Sequence, residues 1–242
     1  MKVTTYVFPI LLTFSLGSQN NHTEQITIPL SNRNEPGHLT INHHKGSIHV
    51  AGYHGTSVIV KATMRLGTGE ESINLGAVEG NNHVVINATP RHRTIDLDIK
   101  VPYRFSLRLK NDDSGNITAE NLSGELEISN INGDISLQDI SGAAMLDTID
   151  GDITVQFRDI ARGVPMAFSS VEGNINITFP RDVNVLTKAR ADSGYILNDF
   201  TQTKKQEVAG STWSYGKLND SGPEMLMRSF LGNIHIRCEQ GE

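Results

Sequence analysis

The sequence predicts an all-β fold, a single-domain right-handed parallel β-solenoid (β-helix) with coils of about 18–22 residues. Two observations predict it. Glycines recur every nine residues through the middle of the chain, and apolar residues recur two and four positions after each glycine. A repeat this short and regular indicates units that stack along one axis. The repeated glycines are Gly115, Gly124, Gly133, Gly142 and Gly151.

Each nine-residue unit is predicted to be one short strand, because its apolar positions alternate with polar ones. The glycine forms the corner, since it tolerates the backbone angles of a sharp bend, and a short polar residue precedes it. A further apolar residue, seven positions after the glycine, is expected to plug the next bend. These residues are Leu122, Ile131, Ile140 and Ile149.

Alternate units resemble each other more than neighbouring units do. The units that begin at Gly115, Gly133 and Gly151 share an Asn or Asp followed by Ile, whereas those at Gly124 and Gly142 differ. Two units therefore form one coil of 18 residues, which favours a two-sided coil. A three-sided coil stays open as the alternative.

Residues 1–18 are expected to be a secretory signal peptide. Lys2 gives the charged start, an apolar stretch runs from Tyr6 to Leu16, and Gly17 and Ser18 are small residues near a cleavage point. The apolar stretch is too short to span a bilayer comfortably, and no later segment is apolar enough for a membrane span. The mature protein is therefore expected to be exported: periplasmic, at the cell surface or extracellular.

The rest of the chain is divided into a lead-in at residues 19–35, the solenoid at 36–238 and a polar tail at 239–242. Gly173 and Gly194 are expected to begin successive later coils. Further features of the solenoid are a glycine repeat at Gly37, Gly46 and Gly55; strands at His83–Ala88, Thr94–Val101 and Phe105–Lys110; a loop or short helix at Thr68–Val78; and a long loop or strand excursion at 201–221.

Charge and cysteine content exclude several functions. The formal net charge of −6 argues against nucleic-acid binding, which needs clustered Lys and Arg. Cys238 is the only cysteine, so the chain has no internal disulfide. We expect Cys238 to fill space near the end of the stack rather than to act as a nucleophile.

The corner motifs carry a family resemblance. They are Ser-Gly-Asn-Ile at 114–117, Asn-Gly-Asp-Ile at 132–135 and Asp-Gly-Asp-Ile at 150–153, with the Val-Pro strand end at 101–102 and the closing segment at 221–236. With these motifs the chain resembles the bacterial putative adhesin domain family, exported β-solenoids of largely unknown function. The resemblance implies a single-chain solenoid, export and an adhesive role. It brings no catalytic residues.

Two groups of residues are candidate metal ligands. The acidic residues near the corners do not form a complete calcium-binding repeat, because calcium-binding β-rolls need several glycines per unit and each unit here has one. The early histidines are expected to be exposed polar residues rather than a metal site. We therefore assign no metal, cofactor or catalytic residue. The acidic residues are Asp112, Asp113, Glu125, Asp134, Asp147, Asp150 and Asp152, and the histidines are His38, His43, His44, His49 and His54.

Outward positions are predicted to carry Thr, Ser, Asn and Glu, which suits a solvated face or a flat surface for glycans or another protein. Trp213 and Tyr215 lie in a polar segment and either pack against the coil or stack on a sugar ring. No nucleophile with a base and no convergent acid–base pair is evident. The outward residues are Thr118, Glu127, Ser136, Thr154 and Asn176.

The sequence thus predicts a non-enzymatic, exported β-solenoid that binds an envelope glycan or a surface protein through an extended β-face. One alternative is a structural protein that stacks end to end through open coil edges. The other is a polysaccharide-active β-helix enzyme. The oligomeric state stays open.

Overall fold

The computed structural model describes residues 21–65, 72–200, 202–208 and 210–239. The predicted signal peptide, residues 1–18, lies outside these ranges, as do residues 240–242 of the predicted tail. The described part of the chain is all β-structure, without a helix. Its strands are β1 (Asn21–Pro29), β2 (Gly37–Lys45), β3 (Ile48–Tyr53), β4 (Ser57–Arg65), β5 (Asn74–Gly80), β6 (His83–Thr89), β7 (Ile95–Pro102), β8 (Phe105–Ser114), β9 (Ile117–Asn132), β10 (Ile135–Asp150), β11 (Ile153–Ile160), β12 (Met166–Glu172), β13 (Ile175–Phe179), β14 (Val185–Ala191), β15 (Ile196–Asn198), β16 (Gln202–Val208), β17 (Ser211–Leu218), β18 (Glu224–Ser229) and β19 (Ile234–Cys238).

The strands form one mixed sheet that folds into two layers without closing. The long strands β9 and β10 run through both layers, since their first and second halves pair with different neighbours. The front face runs in the order β5, β6, β2, β8, β9, β10, β12, β18, β14, β17, β16. The back face runs in the order β1, β4, β7, β3, β9, β10, β11, β13, β19, β15.

The register at the centre of the stack follows the glycine repeat. Ile117 pairs with Ile135, and Ile135 pairs with Ile153, each 18 residues further along the chain. The next step, from Ile153 to Ile175, spans 22 residues, because the connection after β11 is longer. The pairing agrees with a two-sided coil, whose halves lie in the back and front faces.

The prediction of a purely parallel solenoid is wrong at both ends. Strands β1 and β4, β4 and β7, and β5 and β6 pair antiparallel at one end, and β17 pairs antiparallel with β14 and β16 at the other. Asn81 and Asn82 give the reason for the β5–β6 pair: both have positive φ, at 53° and 60°, which suits the two-residue turn of an antiparallel hairpin. Such turns reverse the chain where a coil would carry it onward.

The order of the coils in space differs from their order in the chain. In the front face β2 lies between β6 and β8, and β18 lies between β12 and β14. The expectation that Gly173 and Gly194 begin neighbouring coils is therefore wrong. A Cβ on Gly232 would meet the carbonyl of Gly173, and a Cβ on Gly194 would meet the carbonyl of Gly232. The last coil of the chain is thus inserted between two earlier ones.

Glycine is required where the chain crosses from the front face to the back face, which we call the glycine corner. Gly133 has φ of +136°, a conformation that other residues avoid. A Cβ there would lie 2.5 Å from the carbonyl oxygen of Gly115 in the preceding coil. The corners of successive coils therefore stack backbone against backbone.

Inward apolar residues of the two faces form one core, in which Ile117, Ile135 and Ile153 are fully buried. The predicted plugs divide into two pairs. Leu122 and Ile140 are buried at the bend opposite the glycine corner, as expected, whereas Ile131 and Ile149 are about half exposed. The latter expectation is wrong, because the residue that faces inward at the glycine corner is a polar one.

Buried polar side chains three residues before the corner glycines form an inner polar column. Asn130 Nδ2 donates hydrogen bonds to the carbonyl oxygens of Gly115, at 2.9 Å, and Gly133, at 2.8 Å. These side chains satisfy carbonyls that the bend turns away from the strand pairing. Related donors are Thr148 to Gly133 O, Ser170 to Gly151 O and Ser229 to Gly173 O.

Most other predicted elements are strands. The strands expected at 83–88, 94–101 and 105–110 correspond to β6, β7 and β8. The segment expected as a loop or helix at 68–78 contains β5 from residue 74, and its first residues up to 71 lie outside the described ranges. The segment at 201–221 is a strand excursion, the β16–β17 hairpin.

Candidate interaction surface

The outward side of the front face carries a continuous row of long side chains. The pairing register places one residue from each strand in line, from β2 to β16. Met145 and Leu226 within it are 55% and 46% exposed, unusual for apolar residues in register on one surface. The front row consists of Thr40, Arg108, Glu127, Met145, Ala167, Leu226, Lys188, Tyr215 and Lys204.

The central part of the corresponding row on the back face, from β9 to β13, is made of short polar side chains. Its members pair in the same way from coil to coil, and they include the predicted Thr118, Ser136, Thr154 and Asn176. The predicted outward position of these four residues is confirmed. Glu127 also points outward, but it lies on the front face. The two faces therefore differ in chemistry.

A groove of about 460 Å³ crosses the N-terminal half of the front row. One wall contains the Arg108–Glu127 ion pair, with Nη2 and Oε2 2.6 Å apart, and another contains Val164 and Pro165 from the connection after β11. Met145 also lines the groove. The groove thus combines apolar side chains with a polar rim, as ligand sites do.

A cation–aromatic cluster occupies the C-terminal end of the front face. The rings of Trp213 and Tyr215 on β17 are nearly parallel, at 10°, with centroids 6.2 Å apart. Lys188 Nζ lies 5.5 Å from the Trp213 centroid and 5.9 Å from that of Tyr215. The guanidinium of Arg190 lies 5.2 Å from the Trp213 centroid. These contacts fall within the range of cation–π attraction.

Asp192 fixes the cationic side of the cluster. Its carboxylate accepts hydrogen bonds from Ser211 Oγ at 2.7 Å, from Arg190 Nε at 2.5 Å and from Arg228 Nη2 at 3.2 Å. The hydrogen bond from Ser211, followed by those from the two arginines, holds the pKa of Asp192 below its ordinary value. Asp192 therefore stays charged and binds both guanidinium groups, of which that of Arg190 lies over Trp213.

Three lysines lie around Tyr215. Lys188 and Lys204 flank Tyr215 in the strand register, and Lys217 lines an open depression beside Tyr215 and Lys204. In the described part of the chain, Lys188 and Lys204 form no ion pair with an acidic side chain. Positive charge is thus concentrated on a chain whose formal net charge is −6.

A family model described as Toastrack DUF4097 matches residues 2–236. The chain belongs to the Toastrack DUF4097 family. The resemblance to the putative adhesin domain family, predicted from the corner motifs, is thereby confirmed. A comparison with curated proteins found no match.

Solved structures similar to this Toastrack chain include three bacterial proteins. A putative cell adhesion protein from Clostridium sporogenes is 11% identical with a TM-score of 0.46, and the match covers 90% of this chain and 100% of that one. A putative adhesin from Bacteroides fragilis is 12% identical with a TM-score of 0.39, covering 91% and 100%. A putative adhesin from Parabacteroides merdae is 9% identical with a TM-score of 0.30, covering 93% and 98%.

The early histidines of the Toastrack chain are dispersed. His43 is buried at 4% exposure, and its Nε2–H donates to the carbonyl of Ile95 at 2.7 Å, so the expectation of an exposed side chain is wrong there. Burial lowers the pKa of His43 from its ordinary value. His38 lies on the front face beside His83, with ring centroids 6.3 Å apart, a neighbour from another coil that the sequence did not reveal. Across the described ranges, no group of three or more metal-ligating side chains comes together.

The acidic corner residues serve the stack. Asp134 Oδ1 accepts the backbone N–H of Asp152 at 2.8 Å, and Asp152 Oδ1 accepts that of Asn174 at 2.7 Å. Each carboxylate thus binds the backbone of the next coil, and the same column continues through Asn233. Of the other acids near the corners, Asp112 binds Lys110 and Arg91, and the Lys110 hydrogen bond lowers the pKa of Asp112.

Cys238 is half-buried in β19, and burial raises the pKa of its thiol, which disfavours the thiolate.

Trp213 and Tyr215 lie on a strand rather than in a loop, half-buried by their cationic neighbours. The signal that sequence reasoning missed was the alternating Lys and Arg of β14, which is visible only once β14 and β17 are known to pair. Within the described ranges there is no helix long and apolar enough to cross a bilayer.

Proposed function

We propose that this Toastrack chain is a non-enzymatic, exported interaction domain that binds a glycan or surface protein of the cell envelope through its front face. The observation that carries the proposal is the contrast between the two faces. Long charged, apolar and aromatic side chains line up across the front face, whereas the four central strands of the back face, β9, β10, β11 and β13, carry Thr, Ser, Thr and Asn in the same register. A right-handed winding of the coils is part of the proposal, since right-twisted strands favour it.

The exposed apolar residues of the front row support binding, because contact of apolar side chains with water is unfavourable. Met145 and Leu226 lie in register on either side of Ala167, with charged residues at both ends of the row. Apolar side chains with a charged rim are the arrangement of protein and ligand interfaces. Removing them from water on binding favours association, at about 25 cal/mol per Å² of apolar surface.

The test is cosedimentation of the purified protein with isolated cell-envelope material of its own organism. The front variant Met145→Glu/Leu226→Glu is compared with the back variant Ser136→Glu/Thr154→Glu, since all four positions are outward. We expect binding to fall in the front variant and to persist in the back variant. Equal binding by both variants and the unchanged protein contradicts the proposal.

Export is tested separately. The mass of the protein recovered from cell fractions is compared with that of the full 242-residue chain. Loss of residues 1–18 and recovery outside the cytoplasm are expected; an unprocessed cytoplasmic protein contradicts export.

End-to-end assembly is the alternative that open sheet edges allow. Strand β16 is a front-face edge, and it carries exposed Lys204, Lys205 and Glu207, charges that disfavour pairing with another edge. Light scattering that shows growth with protein concentration would favour assembly over binding by a monomer. Turnover of an envelope polysaccharide, abolished by a single acidic substitution, would favour the enzyme alternative.

A further inference from the structure

We propose that the cation–aromatic cluster binds an anionic polysaccharide, with Lys188, Arg190, Lys204 and Arg228 contacting its carboxylate or phosphate groups and Trp213 and Tyr215 contacting its sugar rings. The inference rests on the proposed function and names the ligand class of one part of the front face. Carboxylate and phosphate are the shared chemistry here, because both are anionic oxygen acceptors for Lys and Arg.

The first argument is charge. Four cations lie on the two rings or on the strands beside them, and Asp192 is the only carboxylate that pairs with any of the four in the described part of the chain. Asp192 is mostly buried, with 9% of its side chain exposed, whereas 58% of the Arg228 side chain is exposed. The negative partner thus lies beneath the surface while the cations face solvent, so the surface presented to a ligand is positive.

The second argument is preorganisation. Lys188 lies over both rings, and Arg190 is held between the Trp213 ring and the Asp192 carboxylate. Both side chains are long and flexible, and fixing them before a ligand arrives lowers the conformational entropy lost on binding. A chance group of surface lysines would lack these restraints.

The third argument is shape. The cluster spans strands β18, β14, β17 and β16, which are consecutive in the front face. Three strand spacings of about 4.8 Å give a width of roughly 14 Å. Two parallel rows of outward residues cross this width, one containing Lys188, Tyr215 and Lys204, the other Arg228, Arg190 and Trp213. The two rings therefore lie side by side on β17 with cations on both sides, which suits a polymer whose sugar rings carry anions next to them.

Charge beyond the cluster favours a polysaccharide over a nucleic acid. The front face continues toward Glu127 and Asp147, and Glu224 lies at the β18 end of the cluster. A nucleic acid has a phosphate on every nucleotide and is bound by long basic stripes. These acids would repel its flanks, whereas a polysaccharide with neutral sugars between its anionic ones avoids this repulsion.

The experiment measures binding of the purified protein to immobilised polymers by biolayer interferometry. The probes are a polyuronate for carboxylate, a polyglycerol phosphate for phosphate, dextran as a neutral polysaccharide and single-stranded DNA. We expect one or both anionic polymers to bind, dextran to fail, and binding to weaken as salt rises from about 0.05 to 0.5 M and screens exposed charges. The response to the first two probes identifies which anion is preferred.

The test variant is Lys188→Gln/Arg190→Gln, and its matched control is Lys61→Gln/Lys100→Gln on the back face. Each variant removes two exposed or half-exposed cations, so the change in net charge is the same. We expect the test variant to bind about tenfold more weakly, from the usual worth of exposed charge contacts, and the control to stay within about twofold. Trp213→Leu is expected to weaken binding without changing its salt dependence.

An equal loss of polymer binding in the test and control variants overturns the inference. Dextran that binds as tightly as the anionic polymers overturns it too. DNA that binds as tightly as the polyuronate contradicts a polysaccharide site and identifies a general polyanion surface instead. Thermal unfolding of each variant shows whether it is folded. If the test variant keeps envelope binding while Met145→Glu/Leu226→Glu loses it, this inference fails and the proposed function stands. If neither variant changes envelope binding, the proposed function itself fails.

Discussion

Replacing Asn130 by Ala should destabilise the stack strongly, although this side chain contacts no ligand surface. Asn130 is 1% exposed, and its Nδ2 donates to two glycine carbonyls. Each lost hydrogen bond is worth about 1 kcal/mol, and neither carbonyl is left unpaired, because Gly133 O keeps the Thr148 hydroxyl at 3.3 Å and Gly115 O keeps Asn111 Nδ2 at 3.4 Å. Asn130 Oδ1 has no partner, so its removal returns part of this cost. We therefore expect the free energy of unfolding to fall by about 2 kcal/mol, from the two lost hydrogen bonds.

The assay is urea denaturation followed by circular dichroism, with thermal unfolding as a second measure. For a chain of this size the loss corresponds to roughly 4–8 °C in Tm. Asn130→Thr should lower the free energy of unfolding by only about 1 kcal/mol, because a threonine hydroxyl can donate one of the two hydrogen bonds. Thr148 shows this at the same position of the next coil, where its hydroxyl donates to Gly133 O. Ser129→Ala, the outward neighbour, is the control and should change stability by about 0.5 kcal/mol. Equal losses for Asn130→Ala and Ser129→Ala would refute the role of the inner polar column.

Three further predictions concern the core, the corner and pH. Ile135→Asp should unfold the stack, since it buries a charge, whereas Ser136→Asp at the neighbouring outward position should change the free energy of unfolding by about 0.5 kcal/mol. Similar urea unfolding curves for the two variants would refute the predicted register. Gly133→Ala should lower the free energy of unfolding by about 3 kcal/mol or more, because Gly133 has positive φ and a Cβ there would meet a carbonyl. Gly163 also has positive φ but open space around it, so Gly163→Ala should lower the free energy of unfolding by only about 1 kcal/mol. Equal losses of Tm in the two variants would contradict the corner geometry. The pKa of His43 is lower in the folded state than its ordinary value of about 6.5, so the unfolded chain binds more protons and the free energy of unfolding should fall as pH drops below that value. His43→Gln should make the urea midpoint depend less on pH between about pH 7 and 5. An unchanged pH dependence in this variant would exclude His43 as the cause.

Much of the fold follows from short-range pattern. The alternation after each glycine predicts which side chains face inward, because a strand has period two, and Ile117, Ile135 and Ile153 are all buried as expected. Gly133 marks the corner because only glycine fits its backbone angles beside Gly115. These features depend on local chemistry, which the sequence contains directly.

The sequence failed where the decisive contacts are non-local. The insertion of β18 between β12 and β14 depends on pairing across dozens of residues, and no local signal in Gly194 or Gly232 encodes the order. The cation–aromatic cluster is missed for the same reason, because Lys188 and Trp213 meet only through the β14–β17 pairing. Ile131 is misplaced because the polar residue before it, Asn130, takes the inward position at the corner.

The inserted coil makes its own synthesis a condition for completing the stack. Strands β18 and β19 occupy the gap between β12–β13 and β14–β15, so β14 and β15 have no parallel partner until residues up to about 238 are present. While a ribosome still holds these two strands, β14 and β15 therefore cannot dock in their parallel register on the rest of the stack. Strands β14 to β19 therefore complete the stack only after β19 has emerged. Adding or deleting a coil after β15 in the chain would displace β18 and β19 from the gap that they fill.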